Sequence, residues 1–269
     1  MIKTGKLLFI GTGGSMGIPV IGCSCSVCKS KILKNHRFRS SVFCTIDGQG
    51  ILIDCGPDFK QQALRYNIDH IDGLIFTHAH NDHTAGVDEL RVLCLRSGKP
   101  IPCLLSAETA QDLKIRFKYF FEEKEPYAGL LTRFGMQEFE HDRGEVVFQG
   151  IRINYFSYDQ LGMRVDGIRL GNLAYVSDIK EYPDTIFEDL KGVKTLILSA
   201  LRFELSKMHF NIDDAVAFAK KVNAEKTWLM HVSHELDHEI GNAYLPEGIK
   251  FAYDALQLEF EVDIVSDSI

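Results

Sequence analysis

The sequence predicts an α/β protein with a β-rich core and helices outside it, forming one domain over residues 1–269. Short apolar runs of strand character alternate with segments of helical periodicity along the whole chain. Neither a repeat of fixed period nor a linker rich in Gly, Ser or Pro separates them. A chain of 269 residues is near the size at which a single core stops growing, so one large domain accommodates it.

The first half of the chain is predicted to begin with a strand that ends in a glycine-rich turn. Asp47-Gly48 separates two β-rich runs and predicts a hairpin. Ser106 is the expected N-cap of a helix through Glu122, whose apolar positions suit core packing or a dimer contact. The predicted strands are 6–10, 41–46, 50–54 and 73–77, and the predicted helices are 59–66 and 106–122.

The second half repeats this alternation. Its predicted strands are 146–148, 151–156, 173–176, 195–198 and 227–230, with an edge strand at 260–265 and a helix at 213–222. Because apolar runs as short as 195–198 suit buried strands, these segments are expected inside a layered sheet.

Composition excludes several classes of function. The net charge of -7 and the absence of a Lys/Arg stripe argue against a nucleic-acid exosite. No apolar stretch is long enough to cross a membrane, and the run at 7–10 is too short for a signal peptide. Seven cysteines without a secretory signal indicate a reducing compartment, so we expect a cytoplasmic protein.

The densest chemical signal is a cluster of three histidines and one aspartate directly after the predicted strand 73–77. His78, His80, Asp82 and His83 offer nitrogen and oxygen donors of the type that Zn²⁺ or Mn²⁺ accepts. Crowding such groups at the end of an apolar strand is costly unless they bind a ligand. The cluster therefore predicts a catalytic metal site with one or two ions.

This HxHxDH run resembles the signature of the metallo-β-lactamase superfamily, and the supporting motifs follow in that superfamily's order. The resemblance implies an αββα four-layer sandwich with the site where strand ends of both sheets meet. It also implies that Asp178 bridges two ions and that His231 completes the second site. Asp54, in an Asp-x-Gly motif, is interpreted as a structural acid that fixes nearby loops.

A second cluster, Cys23-x-Cys25-x-x-Cys28, lies in a loop at about 22–39. Three soft thiolates in a reducing compartment favour a structural zinc ion over an iron–sulfur fragment or a redox pair. The surrounding segment is similar to the phosphoribosyl cyclic phosphate phosphodiesterases of phosphonate degradation. That resemblance implies that His234 is the fourth zinc ligand and that His209 lies beside the substrate phosphate, where a protonated imidazole would act as acid or charge stabiliser.

The sequence departs from the superfamily at one ligand. Another histidine usually precedes the bridging aspartate, but the stretch 156–162 contains none. Gln160 stands near the expected place with Asp159 beside it, and either side chain is a candidate substitute ligand. The first site then holds His78, His80 and Asp178.

The sequence favours a hydrolase that uses metal-activated water to cleave a small phosphodiester. A cyclic phosphodiester is one candidate substrate, and Asp82 is a candidate catalytic residue. The missing signal peptide disfavours a β-lactamase, and the acidic chain disfavours a tRNA-processing nuclease. Two alternatives stay open: a protein like the pyrroloquinoline quinone biosynthesis B protein, with an oxidative or binding role, and a catalytically reduced metal-binding homologue. The oligomeric state is left open, with a homodimer as one alternative.

Overall fold

The computed structural model describes residues 1–121 and 132–265. Two seven-stranded sheets face each other, with strand orders β14-β1-β2-β3-β4-β5-β6 and β13-β12-β11-β10-β9-β8-β7. The strands are β1 Ile2–Gly11, β2 Ser41–Ile46, β3 Gln49–Ile53, β4 Gly73–Ile75, β5 Ile101–Leu105, β6 Phe134–Glu138, β7 Arg143–Phe148, β8 Ile151–Gln160, β9 Met163–Leu170, β10 Leu173–Val176, β11 Thr195–Ser199, β12 Lys226–Met230, β13 Ile249–Phe251 and β14 Gln257–Asp263.

Helices cover the outer faces of the two sheets, which gives the four layers. They are α1 Phe59–Tyr66, α2 Asn81–Thr84, α3 Arg91–Ser97, α4 Ala107–Arg116, α5 Lys118–Phe121, α6 Ile186–Asp189, α7 Ile212–Val222 and α8 His238–Tyr244. Within the described residues, no helix is long and apolar enough to cross a membrane.

Three apolar clusters hold the layers together. The central cluster fills the space between the sheets, with Phe9 and Ile53 from one sheet and Ile168 and Tyr175 from the other. A second cluster lies under α1, α3 and α4, and a third packs α7 and part of the cysteine-rich loop against the other sheet. Because each sheet is apolar on both faces, its inner strands are nearly continuous apolar runs.

Most predicted elements are confirmed, with boundaries displaced by a few residues. Ser106 caps α4 by accepting a hydrogen bond from Thr109 N, as expected. The predicted helix 106–122 is two helices, because α4 ends at Arg116, and Glu122 lies outside the described residues. Leu113 and Phe120 are buried beneath the sheet, so this apolar stripe packs within the chain.

The sequence missed the strands β5, β6, β9 and β13 and the helices α2, α3, α6 and α8. Strand β9 shows why. It contains Gly167 and three charged residues, yet it pairs with β8 along one side and β10 along the other. Its stability comes from these neighbours, which local propensity does not reveal.

Candidate active site

The candidate ligands lie at the carboxyl ends of parallel strands. The histidine-rich segment follows β4, which runs parallel to β3 and β5. Asp178 and His231 follow β10 and β12, which lie on either side of the parallel strand β11. Parallel strands end at the same edge of a sheet, so residues far apart in sequence converge there.

Four of the predicted ligands form one buried group: Asp82, His83, Asp178 and His231. Their ligand atoms all lie within 4.8 Å of one another. His231 Nε2 is 3.3 Å from a carboxylate oxygen of Asp82 and 3.3 Å from one of Asp178. His83 Nε2 is 3.5 Å from Asp82 and 3.6 Å from Asp178. Ligand atoms about 2.1 Å from a tetrahedral ion lie about 3.4 Å apart, so this group fits one ion.

His78, His80 and Asp178 form a second group on the other side of the same carboxylate. His78 Nε2 lies 3.0 Å from His80 Nδ1 and 3.6 Å from Asp178 Oδ2. Asp178 Oδ1 faces His83 and His231 instead. Asp178 is therefore placed between the two groups, with one oxygen toward each.

The buried carboxylates and imidazoles of the two histidine–aspartate groups suit the binding of cations. His83 Nε2 is buried and has no hydrogen-bond partner, although it points between two carboxylates. Burial alone would raise the pKa of Asp178, but the nearby His231 and His83 hold it well below its usual range. Burial alone would lower the pKa of His83, but Asp54 and Asp178 raise it well above its usual value. The residues present therefore fit divalent ions, which would replace the imidazole protons as the positive charge.

Asp54 orients two of the imidazoles from behind. Its carboxylate accepts hydrogen bonds from His83 Nδ1 at 2.7 Å and from the backbone N–H of Thr77 at 2.9 Å. It also accepts from the Thr77 hydroxyl, which lies 2.9 Å from His78 Nδ1. Both rings thus present Nε2 to the site. Orienting imidazoles in this way is the usual role of an outer carboxylate around metal-binding histidines. The structural interpretation of Asp54 agrees with these contacts.

Backbone conformation around the site is unusual. Asp54, Asp178 and His231 have φ angles of 64°, 49° and 61°, in the left-handed region. Each such residue costs on the order of 1–3 kcal/mol and persists only where surrounding structure imposes it. Gly56 is also required, since a Cβ there would lie 2.0 Å from the carbonyl oxygen of Asp82. The left-handed positions place Asp178 and His231 among the ligand groups and Asp54 behind the imidazole of His83.

The cysteine-rich loop forms a separate group with His234. Cys23 Sγ lies 3.4 Å and Cys25 Sγ 3.5 Å from His234 Nδ1, and Cys28 Sγ completes the group within 4.8 Å. Hydrogen bonds from Cys28 N–H and His234 lower the pKa of Cys25 to about 6. Burial raises the pKa of Cys28 to about 11. Three thiols and one imidazole at these distances fit a tetrahedral zinc ion.

His209 lies at the edge of the site, where its Nδ1 is 3.8 Å from Asp178 Oδ2. Burial lowers its pKa to about 4, so the ring is neutral near pH 7 rather than protonated as the sequence suggested. A neutral imidazole still has one N–H that can donate to a phosphoryl oxygen.

The two candidate substitute ligands point in different directions. Gln160 is buried, with its amide nitrogen 3.1 Å from His209 Nδ1 and its amide oxygen without a hydrogen-bond partner. Asp159 instead accepts a hydrogen bond from Gly162 N at 2.6 Å and lies outside all three groups of ligands. Successive strand residues face opposite sides, so only Gln160 lies on the side of the site, and the suggestion of Asp159 as a ligand is corrected.

A cleft of about 470 Å³ opens onto the two histidine–aspartate groups. Its lining includes His80, Asp82, Asp178 and His209 together with Met163, Met208, Asp112 and Arg116. Arg116, which contacts the histidine segment from α4, was not among the site residues predicted from the sequence. No local pattern marks it, because the contact joins residues 37 positions apart.

Comparisons with known proteins agree with this geometry. The family model described as "Beta-lactamase superfamily domain" matches residues 49–232. A solved structure described as a new diphosphatase from the PhnP family is 36% identical, with a TM-score of 0.90 over 98% of this chain and 100% of the other. Zn²⁺-bound PqqB from Methylobacterium extorquens is 16% identical, with a TM-score of 0.74 over 94% of this chain and 99% of the other, a likeness of fold alone.

Among curated relatives, an octanoyltransferase from Porphyromonas gingivalis is 30% identical over 94% of this chain. The chain spans 51% of that relative's length. The family match covers most of the chain, and the predicted superfamily, the narrower resemblance and the αββα sandwich are all confirmed. The chain belongs to the beta-lactamase superfamily and, within it, to the PhnP family.

Proposed function

We propose that this protein is a metal-dependent phosphodiesterase that hydrolyses a small, singly charged phosphodiester. The observation that carries the proposal is Asp178, whose two oxygens face two adjacent groups of ligand atoms. Two such sites at one cleft suit the displacement of an alkoxide from phosphorus by water. The similarity to a diphosphatase of the PhnP family supports phosphorus chemistry.

Zn²⁺ or Mn²⁺ would be held in two places at the cleft. His78, His80 and Asp178 would hold one ion, and Asp82, His83, Asp178 and His231 the other. Bound ions supply Lewis acidity to phosphoryl oxygens and lower the pKa of water. The separate group of Cys23, Cys25, Cys28 and His234 would hold a structural Zn²⁺.

The chain's own residues would bind and orient the substrate and move its protons. Asp82 lines the cleft and would accept a hydrogen bond from the attacking water as a carboxylate, because His83 and His231 hold its pKa below the usual range against the opposing effect of burial. His209 would donate its N–H to a phosphoryl oxygen or to the leaving oxygen. Asp178 would remain ionised, because the surrounding histidines keep its pKa low.

Charge within the cleft favours a diester over a monoester. Arg116 is the one Lys or Arg side chain among the described residues that line the cleft, and it is paired with Asp112. Apart from the proposed ions, no unpaired lysine or arginine among the described lining residues would offset a second negative charge on the substrate. A phosphodiester, with one negative charge, suits this surface better than a phosphomonoester.

Assays of the purified, metal-loaded protein with bis(p-nitrophenyl) phosphate and p-nitrophenyl phosphate test the proposal. We expect faster hydrolysis of the diester, loss of activity with a chelator and recovery with Zn²⁺ or Mn²⁺. Absence of diester hydrolysis under every metal condition would reject a phosphodiesterase.

The oxidative or binding alternative has weaker support. The likeness to PqqB is one of fold, and fold does not determine function. The name octanoyltransferase belongs to a protein about twice as long, so its activity is not transferred to this chain. A cytoplasmic location and a homodimer stay predictions.

A further inference from the structure

Arg116, at the last position of α4, lies across the segment that carries His78 and His80. Its Nη2 donates to the carbonyl oxygen of Ala79 at 2.5 Å and to Thr84 Oγ1 at 3.0 Å. Its Nη1 donates to Asn81 Oδ1 at 2.7 Å. The guanidinium thus binds three acceptors in one short segment.

Side chains supply the hydrogen-bond donors for the Ala79 carbonyl in this segment, whereas the His80 carbonyl also accepts from His83 N at 3.0 Å. Residues 76–80 lie between β4 and α2 and belong to no regular element. The Thr84 hydroxyl lies 2.8 Å from the carbonyl oxygen of His80 and 3.2 Å from that of Ala79, close enough to donate to either. Arg116 adds a charged donor to the carbonyl of Ala79, and a charge-assisted hydrogen bond is stronger than a neutral one.

Arg116 is itself held in place by its neighbours. Its Nε donates to Asp112, one helical turn earlier on α4, and its side chain is 27% exposed. Four hydrogen bonds therefore occupy most of the five donors of the guanidinium. This leaves little capacity to bind a substrate phosphate, although Arg116 lines the cleft.

Ala79 stands between the two imidazoles that must converge on one ion. His78 Nε2 and His80 Nδ1 are 3.0 Å apart, and rotation of the peptide between them would separate the rings. We propose that Arg116 is a positioning residue that fixes this peptide and thereby raises the affinity of the site formed by His78, His80 and Asp178. The inference rests on the proposed metal centre but not on the identity of the substrate.

This role can be tested without an activity assay by titrating the protein with Mn²⁺. Electron paramagnetic resonance measures the free Mn²⁺ at each step. Arg116→Gln should weaken binding at the His78–His80 site about 10- to 100-fold, the usual effect of losing an outer hydrogen-bonding partner. Arg116→Lys should weaken it less, since an ammonium keeps the charge but lacks the planar fork. Arg96→Gln, at an exposed position on α3, is the matched control and should bind Mn²⁺ like the wild type.

Thr84→Val gives a second variant that removes the hydroxyl donor to these carbonyls, and it should weaken Mn²⁺ binding in the same direction. Retention of the thiolate-bound zinc and of the melting temperature would show that each variant is folded. Wild-type Mn²⁺ affinity in folded Arg116→Gln overturns the inference. A raised KM for the diester with unchanged Mn²⁺ binding also overturns it, because Arg116 would then bind substrate.

The inference and the proposed function fail in different ways. Weaker Mn²⁺ binding in the variant beside a wild type that hydrolyses no phosphodiester would support the inference and reject the function. Diester hydrolysis by the wild type, together with equal Mn²⁺ binding in the wild type and Arg116→Gln, would support the function and reject the inference.

Discussion

The two candidate metal regions differ in how their ligands are held. The thiolate group lies on loops, and Cys23, Cys25 and His234 are partly exposed. The histidine–aspartate groups lie at strand ends, with every ligand buried except His80, and two of those ligands have left-handed backbone conformations. The first arrangement suits an ion that ties loops together, and the second suits a preorganised reaction site.

The two regions are nevertheless joined through one short segment. His231 and His234 are three residues apart, and Val232 between them bonds to the glycine-rich turn after β1. Val232 N donates to Thr12 O at 3.2 Å, and Gly14 N donates to Val232 O at 2.9 Å. A zinc ion bound by His234 would therefore also stabilise the segment that presents His231.

The largest expected effect concerns the histidine–aspartate region. Asp82→Ala or His83→Ala should each lower the rate of diester hydrolysis at least about 10²-fold, because a lost ligand disables water activation. His141→Ala, at an exposed position outside the site, is the control and should retain the wild-type rate. Equal rates in wild type and both site variants would refute a metal-dependent hydrolase.

A smaller effect on rate, but a larger one on stability, is expected in the thiolate region. Cys25→Ser should release about one zinc ion per chain and lower the melting temperature, because a closed four-ligand site contributes to folding. Ser26→Ala, in the same loop and exposed, should change neither quantity. If Cys25→Ser keeps its zinc and its stability, the thiols do not form a zinc site.

The difference between the two histidine–aspartate groups should appear in metal content. One group has four donors and the other three, so gel filtration should leave two ions per chain, one structural and one catalytic. Gln160→His should raise occupancy of the weaker site, because Gln160 points toward His209 at the cleft. Elemental analysis that finds three retained ions in the wild type would contradict this prediction.

The smallest effect is a proton released on metal uptake. Asp54 and Asp178 raise the pKa of His83, and Asp178 and Asp82 raise that of His231, both against the opposing effect of burial, so these rings favour the protonated form when no ion is bound. An ion at Nε2 requires the neutral ring, so at least one proton should leave, and affinity should fall as the pH is lowered. Calorimetry of Mn²⁺ binding in two buffers of different ionisation enthalpy measures this, and zero release would contradict it.

The sequence by itself determined the elements whose signals are local. The apolar runs predicted most strands of both sheets, and Ser106 predicted the start of α4. His78–His83 and Cys23–Cys28 supply their donors within six residues each, so their spacing alone indicated metal ligands. The order of motifs then predicted the family, which the comparisons confirmed.

Only the tertiary structure decided which distant residues meet. His234 reaches Cys23 across 211 positions, and His231 reaches Asp82 across 149. The direction of Gln160 and Asp159 depends on the pleat of β8, and the contact of Arg116 depends on how α4 packs against β6. Such contacts form because parallel strands end at one edge and their loops share that space, which no local pattern of residues encodes.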